Sequence, residues 1–250
     1  MSEPPSDSPS SAPPQWFVTT HWSVVLAAGN DSTKATAALE KLCKNYWYPL
    51  YAFVRRLGHS AHDAEDRVQS FFAVCLEKNY LAAAEQGKGR FRSFLLMALK
   101  RFLANEWDKA RAQKRGGAHT VVSLDSLTAE QRYAQEPSDN LSADKLFDRR
   151  WALTLLDQVV TRLHDEQAAA GKLEQFEQLK ECITSSGRGT AYAELASRLN
   201  TSEGAIKVAV HRLRQRYREL LEAEIANTVA SPADVEDERR QLLAALGNAS

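Results

Sequence analysis

The sequence predicts an all-α protein, two small helical domains joined by a flexible linker. Apolar residues recur at three- and four-residue steps over most of the chain after Trp22, and no strand-rich segment appears. A glycine-opened stretch without helical period separates two such regions. The 250 residues suit one large or two small domains, since single cores stop growing near about 250 residues. No apolar run approaches the ~20 residues that a membrane-spanning helix needs.

Residues 1–22 are expected to be a disordered leader. The first fifteen carry five of the eight prolines, with neither the basic start nor the apolar core of a signal peptide. A first helix is expected over 34–57, from the spacing of Leu39, Leu42, Cys43, Tyr46, Trp47, Leu50 and Phe53. Pro49 is placed to kink or restart it, and Gly58 ends it. Ser60 caps a second helix, with Asp63 in its first turn and Val68, Phe71, Phe72, Cys75 and Leu76 on one face. Residues 81–89 read as a loop. A third helix over 92–111 turns Leu95, Leu99, Phe102, Leu103 and Trp107 inward. Residues 23–115 thus form the first domain. Residues 116–143 open on Gly116-Gly117, contain Pro137 and read as linker. The second domain, 144–226, has helices around 151–163, 173–183, 192–199 and 203–221. An acidic tail, 227–250, follows.

Thirty-two basic and 32 acidic residues give a net charge of zero, yet the charge is partitioned. Residues 86–115 carry +7 and 203–218 carry +4, whereas 219–250 carry −5. A phosphate backbone feels local charge, because screening cuts exposed charges off within about 8–10 Å. The three cysteines, Cys43, Cys75 and Cys182, are far apart and fit reduced thiols of a cytoplasmic protein. The six histidines include no ligand pair with a matching carboxylate, so neither metal nor cofactor is expected. Neither a phosphate-cradling glycine loop nor a nucleophile elbow is present, which argues against an enzyme.

The C-terminal basic segment has the pattern of a helix-turn-helix. Tyr192, Leu195, Ala196 and Leu199 make one apolar stripe, Asn200-Thr201-Ser202 a turn, and Ser202 a cap for the next helix. Ile206, Val210, Leu213 and Tyr217 must then face inward. This leaves Gly204, Lys207, Val208, His211 and Arg212 outward, with Arg214, Arg216 and Arg218 extending the positive charge. Such a helix enters the major groove with its N-terminal residues first. Val208 suits a thymine methyl, or else packs on the neighbouring helix. The plainer alternative is a solvated basic helix in an ordinary bundle.

In the other basic segment, Lys88, Arg90, Arg92, Lys100, Arg101 and Arg111 are interleaved with Phe91, Phe94, Phe102 and Trp107. Cations for phosphates and rings for unstacked bases suit an opened strand. Phe102 reads as core, and Trp107 fits core or strand equally.

Three motifs in order carry a resemblance. Asp63-Ala64-Glu65-Asp66-Arg67-Val68-Gln69-Ser70-Phe71-Phe72 resembles the Asp-Ala-Glu-Asp-Leu-Val-Gln-x-x-Phe signature of conserved region 2 in bacterial sigma factors. Gly89-Arg90-Phe91-Arg92-Ser93-Phe94-Leu95 resembles the segment that opens the promoter-melting part of that region. Tyr192–Ala196 through Ser202–Lys207 and His211-Arg212 resembles conserved region 4. Order and spacing resemble the two-domain extracytoplasmic-function (ECF) type. The resemblance implies that Asp63, Glu65, Asp66, Gln69 and Phe72 dock on the clamp coiled coil of the largest subunit of core RNA polymerase, the chain as a whole meeting the largest and second-largest subunits. A dipole-stabilised helix start accounts for Asp63 equally well. It implies −10 contacts through Lys88, Arg90, Arg92, Lys100, Arg101, Trp107 and Arg111. It implies −35 contacts through Gly204, Lys207, Val208, His211, Arg212 and Arg214. Promoter DNA and an anti-sigma factor or other regulator are the further partners implied, with the free chain a monomer. Arg67, Val208, Ala209 and Asn105 depart from the family pattern. The competing reading is a free-standing helix-turn-helix regulator, which leaves the acidic second helix and basic third helix unexplained. A further expectation is that the acidic tail folds back on a basic face and weakens free DNA binding.

Overall fold

The computed structural model describes residues 32–77, 90–112, 126–136, 141–184 and 189–247, with side chains at some helix ends left outside the description. The described residues are all-helical. Ten α-helices follow in order: α1 Ser32–Arg56, α2 Ala61–Glu77, α3 Phe91–Ala112, α4 Ser126–Ala134, α5 Ala143–Ala169, α6 Leu173–Leu179, α7 Glu181–Thr184, α8 Gly189–Arg198, α9 Glu203–Ala226 and α10 Val235–Gly247. A 3₁₀ turn, Pro232–Asp234, precedes α10. No strand forms among these residues; one isolated bridge pairs Arg90 with Val229. None of the helices is long and apolar enough to cross a membrane.

All nine consecutive residues from Tyr46 to Val54, Pro49 included, are buried, so the second half of α1 is surrounded rather than amphipathic. The helix continues through Pro49. Burial on all sides outweighs the roughly 3 kcal/mol that an interior proline costs. Gly58, at φ +95°, ends the turn after α1 in the left-handed region that favours glycine. Ser60 then caps α2, its Oγ accepting from the Asp63 amide at 3.1 Å. Ala64, Val68, Phe71, Phe72 and Cys75, at steps of one, three and four, pack α2 on α1. From α3, Phe91, Leu95 and Leu99 enter the same core, Phe91 edge-on to Tyr46 at 5.4 Å. Burial pushes the thiols of Cys43 and Cys75 up to about 11 and about 12, so both are protonated packing groups.

The segment read as linker contains a helix. Polar contacts, rather than an apolar stripe, hold α4 to α1. Glu130 accepts from Arg55 Nε at 2.9 Å and Nη2 at 2.6 Å and from the Tyr51 hydroxyl at 2.6 Å. The Tyr48 hydroxyl donates to Glu136 at 2.7 Å, and the Arg132 guanidinium lies 4.1 Å above the Tyr48 ring. Hydrogen bonds from Arg55, against a smaller opposing effect of burial, hold the Glu130 carboxyl below its usual range. A carboxylate depressed in the folded state stabilises above its unfolded pKa, and that contribution is lost as pH falls through the folded value. Glu130→Gln should therefore cost about 1 kcal/mol at pH 7, discounted for the half-exposed site. The gap between wild type and variant should close below about pH 4.5, as read by thermal unfolding across pH. A gap that is constant across pH would remove this account.

Helix α5 joins the two halves of the chain. Ser142 caps it, and Leu146, Phe147, Trp151, Ala152, Leu155, Val159 and Leu163 are buried along it. One side packs along α1 and the other against α9 and α10. The tail is not a free end: α10 returns to α5 with Leu242 and Glu238 both buried.

Candidate nucleic-acid interface

The region around the turn between α8 and α9 is formed as its sequence dictates. Tyr192, Leu195 and Ala196 are buried on α8, and Ile206, Val210 and Leu213 on α9. Asn200 takes the left-handed conformation at φ 48°, which its short polar side chain tolerates. The Thr201 amide closes the turn on the Ala196 carbonyl at 2.9 Å. Ser202 Oγ accepts from the Ala205 amide at 3.2 Å and starts α9.

The outward face of α9 then carries Gly204, Lys207, Val208, His211 and Arg212, all exposed. Val208 is 51% exposed, which removes the alternative of packing on a neighbouring helix. Lys207 pairs with Glu203 one turn earlier at 2.8 Å, a surface contact of small worth that a phosphate can replace. A Cβ on Gly204 would meet only Ser202 Oγ at 3.9 Å, so packing alone does not demand a glycine there. Ala209 turns inward and lies half-buried against the core. Beside this face lies a groove of about 540 Å³ between α9 and the α5–α6 corner, bordered by Lys172, Gln175, Val208, Arg212 and Arg216.

Arg214 departs from the expected role. It is half-buried and donates through Nε and Nη2 to the Cys182 carbonyl at 3.0 and 2.7 Å, fastening α9 to α7. Arg216 is also engaged, with Glu166 at 2.7 Å and Glu219 at 2.8 Å. Periodicity could not separate these from Lys207 and Arg212, because Cys182 and Glu166 lie on other helices.

The residues expected on core polymerase divide. Asp63 is exposed, its carboxyl held low chiefly by the Ser60 hydroxyl, which donates to it at 2.7 Å. Asp66 is half-exposed, with His62 at 3.4 Å. Gln69 is partly exposed and donates to Glu65 at 3.2 Å. Glu65, however, is only 8% exposed, and Phe72 is buried 5.8 Å from Phe71. Phe72 is thus a core residue in the free chain, since it lies in the apolar face that packs on α1. The available polar surface reduces to the carboxylates of Asp63 and Asp66 and the neutral edge of Gln69.

The expected −10 residues also divide. Lys88 lies outside the described residues. Trp107 and Arg111 fall on the last turns of α3, where side chains are likewise outside the description. Arg101 is exposed, and Lys100 reaches Asp144 of α5. Arg90 and Arg92 meet acids of this chain instead of facing outward. Arg92 is 4% exposed, stacked 4.4 Å over the Trp151 ring and bonded to Glu238 at 2.8 and 3.2 Å and to Gln241 at 2.8 Å. Asp148 pairs with it from α5. Burial opposes the Arg92 charge, but Glu238 and Asp148 more than offset it, so the group is held firmly cationic. Arg90 contacts Glu238 at 2.8 Å, together with Asp237 and Gln241. In the chain by itself neither arginine presents a free cation to DNA.

These features define a helical protein with a basic helix-turn-helix face on α9 and an acidic start to α2. No family model, curated protein or solved structure matches the chain.

Proposed function

We propose that the chain is an ECF-type sigma factor that binds core RNA polymerase, recognises −35 and −10 promoter elements and promotes DNA melting at initiation. The single observation that carries this reading is the exposed face of α9, Lys207, Val208, His211 and Arg212, presented by a capped turn from α8. The resemblance of the region-2 and region-4 motifs, in order, supports it from the sequence, as do the exposed carboxylate of Asp63 and the half-exposed one of Asp66. In this reading α9 enters the −35 major groove, the start of α2 meets a basic surface of the polymerase, and α3 with the preceding segment meets the opened −10 strand. The protein contributes positioning and charge, and the polymerase performs the chemistry.

A second reading, a free-standing helix-turn-helix regulator, is favoured by the engagement of Arg90 and Arg92 within the chain. Size-exclusion chromatography with purified core polymerase, followed by run-off transcription, separates the two. Co-elution with specific initiation is expected. Tight binding to a promoter duplex by a chain that ignores core polymerase would sink the sigma reading.

A further inference from the structure

The junction at the start of α3 pairs the most basic stretch of the chain with its acidic end. The first turn of α10 holds Glu236, Asp237 and Glu238. Glu238, itself fully buried, bridges both guanidinium groups, reaching Arg90 Nε at 2.8 Å and Arg92 Nε at 2.8 Å. Asp237 and Gln241 complete the shell around Arg90, which is 23% exposed at its side chain against 46% for Asp237. The backbone enforces the same register: the Phe91 amide donates to the Thr228 carbonyl at 3.0 Å, and Arg90 bridges Val229. A carboxylate presents two oxygens to a guanidinium in the same forked geometry as a phosphate. A tethered helix also supplies those carboxylates at an effective concentration on the order of millimolar.

We infer that α10 is an autoinhibitory latch: its carboxylates occupy the guanidinium site at the start of α3 that takes nucleic-acid phosphate once α10 is displaced. The inference rests on the reading that this part of α3 meets the opened strand. Displacing α10 removes the carboxylate and amide partners that Arg90 has on that helix and frees Arg92 in part, because Asp148 of α5 still pairs with Arg92 and lies within electrostatic reach of Arg90. The closed chain therefore has little hold on single strands, and a partner that lifts α10 switches that hold on.

The test uses the full chain and a fluorescein-labelled 15-nucleotide oligo-dT. Asp237→Asn with Glu238→Gln removes both latch charges, and the milder Asp237→Asn alone loosens only the more exposed Arg90 side, leaving the buried Glu238 and the Gln241 bond to Arg92 in place. Each should bind the oligonucleotide about five- to tenfold more tightly at low salt. The slope of log affinity against log salt should steepen by about 0.7 to 1.4, the value for one to two added phosphate contacts on a single strand. Hydrogen exchange at the Phe91 amide and across α10 should quicken in parallel. Faster exchange of α10 with unchanged oligonucleotide affinity overturns the latch. So does a gain that persists in an Arg90→Gln background, since that would reflect only lost acidic charge. Core-polymerase capture by the same wild-type preparation keeps the two proposals apart. Loss of capture with the oligonucleotide gain intact sinks the sigma reading and keeps the latch; capture without the gain sinks the latch alone.

Discussion

Trp151→Ala should destabilise the folded chain by about 3–5 kcal/mol, the range for removing a large buried aromatic. Trp151 is 2% exposed and lies on α5 where that helix passes between α1, α3 and α10. Its ring supports the Arg92 guanidinium from one face at 4.4 Å. Truncation thus opens a cavity and also takes away the one aromatic surface under a buried cation. The shape of the transition matters more than its midpoint. Because α5 is packed along α1 on one side and α9 on the other, the loss should be shared by both halves. Denaturant unfolding followed by far-ultraviolet circular dichroism should shift as one transition, with exchange in α1 and α9 rising together. A variant in which α9 loses protection while α1 keeps it would mean two independent units, as the sequence pattern suggests.

That difference has a physical origin. The helices of 34–111 and 192–221 were legible because each carries a stripe of apolar residues at helical spacing, and Gly58, Ser60 and Ser202 mark the end of one and the starts of two others. Helix α4 was not, because Glu130, Arg132 and Tyr133 hold it through ion pairs and ring contacts with α1 that lie 75 or more residues away in sequence for Glu130. Local periodicity carries no trace of such partners. Pro49 shows the opposite case: its local preference for a break yields to packing around Tyr46–Val54.

The candidate site follows the same division. Helical geometry alone placed Lys207, Val208, His211 and Arg212 outward, and they are outward. Arg92, Arg214, Glu65 and Phe72 drew their expected roles from resemblance and charge, and the fold gives them internal partners. An arginine in a basic run looks the same in sequence whether it meets phosphate or a carboxylate of its own chain. The acidic end of the chain, whose charge nearly balances the +4 of residues 203–218, in fact meets the +7 segment.

Lys207→Ala with Arg212→Ala should reduce promoter-specific initiation by about a hundredfold while leaving the fold intact. Both side chains are exposed on the outward side of α9, and neither supports the core formed by Ile206, Val210 and Leu213. Among the described residues Lys207 has one ion pair to lose, the surface pair with Glu203, and Arg212 has none. The thermal midpoint should therefore stay within about a degree or two, as expected for surface changes of under ~0.5 kcal/mol. A base-edge contact in the major groove is worth about 1–3 kcal/mol and a phosphate contact adds affinity without sequence preference, so two cations together support a hundredfold effect. Run-off transcription with core polymerase and a natural promoter measures the loss. A template in which bases at the −35 element are exchanged decides its meaning. If α9 reads that element, the double variant and wild type should be equally poor on the exchanged template, because the contact that distinguished them has gone. If the variant loses the same factor on both templates, the two side chains meet only phosphate, and Val208 and His211 are left to carry the sequence preference.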